Sequence, residues 1–241
     1  MKNIFLIALF LCNSLLTAAP QLSDQAVKER IALMVKNIFK AQRPDGSWNL
    51  HKGYPVGESS LAVLTLATAG VNTADARMQK AVTYLEQNFP KHNAYCLGLY
   101  ACALEAVNPQ KYQTQLKKVA DLFIFHQRRG SWSYIDKRSF DNSTTQFALL
   151  GLKAAKDAGI EIPQAIFEKS AKHFLWYQNK DGSWAYKIPQ KQVDRQKEPG
   201  RDSMTAAGLA SLAICSEKAE VSLELEKGPD FCGQYLSLIH I

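Results

Sequence analysis

Three acids stand where runs of small and apolar residues begin: Glu58 before Ser59-Ser60-Leu61, Asp141 before Asn142-Ser143-Thr144, and Asp202 before Ser203-Met204-Thr205. A carboxyl group at the mouth of an apolar cavity can serve as a general acid once burial or a like charge raises its pKa. The same side chain at a helix start can instead accept orphan backbone amides, and capping is the reading favoured for all three. His92 and Cys96 are four apart, which places both on one helix face. With Asp141 as a third ligand they are candidates for zinc. No Cys-x-x-Cys pair is present, so a zinc-ribbon site is not indicated; two residues at helical spacing arise often by chance, and no metal or other cofactor is expected.

A second set of residues suits binding. Trp48, Tyr54, Trp132, Tyr134, Trp184 and Tyr186 stand near Lys52, Lys137, Arg138 and Lys187. Aromatic rings flanked by cations can stack on an acidic sugar and neutralise it. Packing into helix junctions is the competing use of the same rings.

The elements that must position these residues are helices. Beyond Pro20 the apolar spacing follows the helical period almost throughout. Ser23 caps a first helix carrying Val27, Ile31, Met34, Ile38 and Phe39. Others are expected from Glu58 to Gly70, about Ala74 to Asn88, Asn93 to Asn108, Pro109 to Arg128, Asp141 to Gly159, Pro163 to Asn179, and from Asp202 onward. Two kinds alternate. Leu61–Ala69, Tyr95–Ala106, Gln146–Ala155 and Thr205–Ile214 are apolar and rich in small residues, hence buried. Asp24–Gln42, Asp75–Asn88, Gln110–Gln127 and Gln164–Gln178 are amphipathic. Strict alternation implies two layers.

The turn after an amphipathic helix recurs. Gln42-Arg43-Pro44-Asp45-Gly46-Ser47-Trp48 matches Gln178-Asn179-Lys180-Asp181-Gly182-Ser183-Trp184, and Gln127-Arg128-Arg129-Gly130-Ser131-Trp132 is one residue shorter. The stretch Gln87-Asn88-Phe89-Pro90 lacks Gly and Trp where a further copy would fall. Glycine admits the left-handed backbone that ends a helix, Trp covers the junction, and Gln can bond its exposed backbone.

A Gln-x-x-x-Gly-x-Trp segment after an amphipathic helix resembles the QW repeat of squalene and oxidosqualene cyclases. Protein prenyltransferase β-subunits carry a related repeat. Asp141–Leu152 and Ser203–Leu209 are similar to the apolar helices of bacterial prenyltransferase/squalene-oxidase repeat proteins. The resemblance runs from about Asp24 to Cys215 and implies an all-α fold, an α/α toroid with inner and outer helices, here incomplete with about four hairpins. Cyclases of that kind use an Asp-x-Asp-Asp motif, which this sequence lacks. Prenyltransferases hold zinc with Asp, Cys and His, and the resemblance makes His92 and Cys96 weak candidates for that role.

The remaining sequence bounds the setting. Lys2, the apolar run Ile4–Leu16 and Thr17-Ala18-Ala19 read as a secretory signal over residues 1–19, which places the protein outside the cell or in the periplasm. The toroid domain is expected over 20–235. Leu236–Ile241 reads as a translated sequencing-adapter end. The 46% hydrophobic and 21% charged composition excludes disorder and collagen. The formal charge of +7 is spread along the chain apart from Lys187–Arg201, so it reads as solubility, and no nucleic-acid partner is expected. Cys96, Cys102, Cys215 and Cys232 read as small apolar filler. Together these features predict an exported repeat protein that binds a hydrophobic, isoprenoid-like ligand or a partner protein without the cyclase acid motif. A divergent terpenoid cyclase or prenyltransferase is one alternative. An acidic-polysaccharide binding protein or lyase on the same fold is the other.

Overall fold

A computed structural model describes residues 23–48, 54–90, 93–134, 140–188 and 199–219. The signal segment, the tail from Leu236, and Lys52, His92, Lys137, Arg138 and Cys232 lie outside the described residues. Among those described there are eight α-helices and no strand, so the chain is all-α. Three isolated antiparallel bridges join loop segments.

Two units divide the chain, residues 1–41 and 42–241. The first carries α1 (Asp24–Lys40), whose Ser23 hydroxyl accepts the amide of Ala26 at 3.2 Å. The second carries α2 (Pro55–Thr68), α3 (Ala76–Gln87), α4 (Ala94–Val107), α5 (Gln113–His126), α6 (Asn142–Asp157), α7 (Gln164–Trp176) and α8 (Asp202–Ala219). Local chemistry sets most of their starts. Pro55 opens α2 at a first-turn position, where its missing N–H costs nothing. Asp75, Asn93 and Asp141 cap α3, α4 and α6 through side-chain oxygens. The expected start of α5 at Pro109 is wrong by one turn. Asn108 accepts the amide of Lys111 at 2.9 Å, forming a separate turn, and the helix begins only after the buried Tyr112.

The apolar helices neighbour one another in chain order, α2 on α4, α4 on α6 and α6 on α8. The amphipathic helices pack on this layer: α3 on α2, α5 on both α4 and α6, and α7 on α8. The α4–α6 crossing is close enough that a Cβ on Gly98 would stand 2.1 Å from the Phe147 carbonyl oxygen.

The three Gly-Ser-Trp turns tie the layers together with nearly the same bonds. Gly46, Gly130 and Gly182 have φ of 89°, 79° and 84°, the left-handed region expected of them. The Gln42 amide donates to the Gly46 carbonyl at 3.2 Å and to the Arg77 carbonyl of α3 at 2.9 Å. Gln127 donates to the Ile166 carbonyl of α7 at 2.8 Å and to the Ser170 hydroxyl at 3.1 Å. The backbone amides of Trp48, Trp132 and Trp184 donate to hydroxyls on the following apolar helix, Ser59, Thr145 and Thr205, at 3.0, 3.2 and 3.4 Å. In the longer turns Asp45 and Asp181 accept both the amide and the hydroxyl of the serine two residues on. The short turn lacks that aspartate. It bends through Arg129, with φ of 52°, so that Arg128 and Ser131 exchange two backbone bonds of 3.0 Å.

Two glycines with similar backbone separate strain from crowding. Gly159 has φ of 90° and open space where a Cβ would go, whereas a Cβ on Gly130 would meet the Lys169 carbonyl oxygen at 2.1 Å. Gly159→Ala should cost about 1 kcal/mol, the left-handed penalty alone. Gly130→Ala should cost roughly 2–4 kcal/mol, since overpacking adds to it. Urea denaturation of the two variants measures the difference, and equal losses would show that the turn does not press on α7.

Candidate functional site

The N-terminal ends of the apolar helices meet, and tyrosines collect there. Tyr54 immediately precedes α2, Tyr95 lies in the first turn of α4, and Tyr134 and Tyr186 lie in the segments leading to α6 and α8. The Tyr54 and Tyr95 rings meet edge to face with centroids 6.0 Å apart. Tyr95 also lies 3.8 Å from the ring of Phe147 on α6. Tyr134 hydrogen-bonds Tyr54, and Tyr186 and Asp141 are within electrostatic reach of its phenol. Burial, and then its phenolic neighbours, push the Tyr134 phenol well above its ordinary range; Tyr95 is raised by burial, then by the Cys96 thiol and the phenols of Tyr54 and Tyr186. All four tyrosines are partly exposed, so the cluster presents neutral rings and hydroxyls to solvent.

A buried polar network holds Tyr186 in place. Asn142, 1% exposed, donates its side-chain amide to the Ala185 carbonyl at 2.8 Å. Its backbone amide donates to the Tyr186 carbonyl at 3.1 Å. Because the Asn142 nitrogen is already a donor, its Oδ1 must accept from His173 Nε2, 3.1 Å away. His173 is therefore the Nε2–H tautomer. On the far side of Tyr186 the Arg201 guanidinium sits 5.5 Å from the ring centroid.

The acids expected at the helix starts are placed as follows. Asp141 is 7% exposed, and its Oδ1 accepts the Thr144 amide at 2.6 Å and the Thr144 hydroxyl at 2.9 Å. It caps α6. Glu58 lies half-buried in the first turn of α2, and Asp202 is exposed as the first residue of α8. Cys96 is buried against Gly57, and burial pushes its thiol up to about 11, which keeps it protonated at neutral pH. No three His, Cys, Asp or Glu side chains converge on a metal-sized site among the described residues.

The indoles are not part of the exposed cluster. Trp48, Trp132 and Trp184 are 6%, 1% and 0% exposed, and the latter two donate Nε1–H to the carbonyls of Phe123 and Phe174 at 2.8 Å. Their ring faces are taken up by the protein, so packing and not ligand contact is what their position provides. Of the expected binding residues, Tyr54, Tyr134 and Tyr186 lie in the cluster. Tyr95, Phe147, Asn142 and Arg201 join them through the helix crossings. A cleft of about 580 Å³ lies at the opposite end of α6, lined by Lys156, Gly159, Ile160, Glu161, Ile162 and Pro163. It has no aromatic wall and opens broadly to solvent.

Compared with known proteins, the chain matches no family profile, no curated protein and no solved structure.

Burial lowers the pKa of His173 from 6.5 to about 4. The folded state therefore holds it neutral while the unfolded chain binds a proton below its own pKa. Stability should fall as pH drops from about 6.5 to about 4, then level, with a total loss of roughly 3 kcal/mol from this residue. His173→Gln keeps a donor for Asn142 without the titration and should flatten that segment of a stability–pH curve measured by urea denaturation. An unchanged slope would show that other groups set the acid limb.

Proposed function

We propose that the chain is an exported α/α-toroid repeat protein that binds a ligand at the tyrosine-lined end of its inner helices and performs no cyclase chemistry. The observation that carries this reading is the cluster of Tyr54, Tyr95, Tyr134 and Tyr186, drawn from four successive segments to one end of the apolar layer. Successive pairing of the apolar helices, with amphipathic helices packed on them, supports the toroid. The three like-bonded Gly-Ser-Trp turns support a repeat related to that of the cyclases and prenyltransferases. Export rests on the signal-like segment at the start of the sequence. No described helix is long and apolar enough to cross a membrane.

Tyrosine rings accept flat apolar surface, whether the chain of an isoprenoid-like molecule or the C–H face of a sugar. A partner protein could use the same rings. Catalysis is disfavoured because Asp141 Oδ1, the buried candidate acid oxygen, is engaged as a helix cap.

Isothermal titration with an isoprenoid alcohol and with oligosaccharides tests the site. Tyr134→Ala and Tyr186→Ala should each weaken whichever ligand binds by about tenfold, as removal of a stacking ring at a binding surface does, with helicity by circular dichroism unchanged. Binding that survives both substitutions would move the ligand elsewhere. Incubation with squalene should yield no cyclised product by mass spectrometry. A product that vanishes in Asp141→Asn would replace this reading with that of a divergent cyclase.

A further inference from the structure

Among the described residues, Tyr186 is the ring of the cluster that carries a cation. The Arg201 guanidinium lies over its ring, 5.5 Å from the centroid. The backbone of Arg201 is anchored. Its amide donates to the Trp184 carbonyl at 3.0 Å, and its carbonyl accepts the amides of Met204 and Thr205 at 2.9 and 2.8 Å. Tyr186 is fixed independently, since Asn142 bonds the carbonyls of both Ala185 and Tyr186. Ring and guanidinium are thus placed by two separate anchors, with Arg201 exposed. Lys187, also exposed, pairs its backbone with Asp141 beside them.

The polar groups of this end discriminate between ligand classes. Four of its five rings are phenols, each with a hydroxyl that donates and accepts. An apolar chain laid across them would desolvate those hydroxyls and the guanidinium without replacing their hydrogen bonds, which costs free energy. A sugar ring presents a C–H face to stack on tyrosine and hydroxyls to meet the phenols. A carboxylate on that sugar matches the planar fork of an arginine, which grips two oxygens at once.

Resting on the reading that this end is the ligand face, we infer that its ligand is an oligosaccharide containing uronate units. One sugar ring stacks beside Tyr186 with its carboxylate on Arg201, and neighbouring hydroxyls bond the phenols of Tyr54 and Tyr134.

Titration of the full chain at low salt with oligogalacturonate, a neutral cello-oligosaccharide and farnesol tests this. Oligogalacturonate should bind best. Arg201→Gln should weaken it by about tenfold or more and flatten its salt dependence, as loss of a charge-assisted bond requires. Arg201→Lys should restore only part, because lysine lacks the fork. Neither substitution touches the backbone bonds that hold the segment, and unchanged thermal unfolding verifies this. Equal affinity for the neutral chain, or an Arg201→Gln variant that binds oligogalacturonate as before, would overturn the inference. Farnesol binding that depends on Tyr134 and Tyr186, without uronate binding, would also overturn it while keeping the site. No tyrosine-dependent binding of any of the three probes would overturn both.

Discussion

The contact on which the second unit depends is that between a turn glycine and the backbone of the next amphipathic helix. A Cβ on Gly46 would lie 2.4 Å from the Lys80 carbonyl oxygen, and one on Gly130 would lie 2.1 Å from that of Lys169. Only a residue without a side chain lets the turn reach this surface, and only glycine adopts the left-handed backbone there at little cost. Once the turn is seated, its exposed polar groups need partners. In the first two motifs the leading glutamine, Gln42 or Gln127, bonds the neighbouring amphipathic helix from one side, while Gln178 donates to the Gly182 carbonyl of its own turn; in all three the tryptophan amide reaches a hydroxyl on the following apolar helix. Each tryptophan ring is buried beside its turn, 6%, 1% and 0% exposed for Trp48, Trp132 and Trp184.

Seating the turns in this way also orients the apolar helices. Each starts shortly after its tryptophan is anchored, so α2, α6 and α8 begin at the same end, and α4 joins them through Tyr95. Parallel helices place their positive dipole ends together. Burial raises the pKa of two of the phenols gathered there, Tyr95 and Tyr134. That end therefore gathers hydrogen-bonding rings in a field that favours negative charge. His173 and Asn142 connect the two consequences. His173 sits on α7 beside the seated Gly130 turn, and through Asn142 it fixes the segment that carries Tyr186.

What could be read from the sequence was local. Ser23, Asp75, Asn93 and Asp141 cap helices because a short polar side chain bonds amides two or three residues away. Gly46, Gly130 and Gly182 mark turns for the same short-range reason. Pro109 misled because proline suits the first position of a turn as well as of a helix, and the burial of Tyr112 decides between them. The tyrosine cluster was half legible. Tyr134 and Tyr186 follow their motifs by two residues, but Tyr95 and Phe147 meet only because Gly98 and Gly151 let α4 and α6 cross closely. Arg201 is 15 residues from Tyr186 in sequence and reaches it through a bond to the Trp184 carbonyl. No periodicity records such a return.

The same locality explains why the acids at the helix starts were ambiguous. A carboxylate before an apolar helix is asked for by the helix itself, whose first amides lack partners. At Asp141 that demand takes Oδ1 through the Thr144 amide, and the single proton of the Thr144 hydroxyl is shared between this oxygen, 2.9 Å away, and the Trp132 carbonyl, 2.8 Å away. The acid is thus wired to the turn that precedes it. A general acid needs an oxygen that carries a proton toward a substrate and releases it without disturbing the fold. Using Oδ1 of Asp141 for that purpose would loosen both the start of α6 and its tie to the Trp132 turn. In this chain the residue that most resembles a catalytic acid by position serves the scaffold.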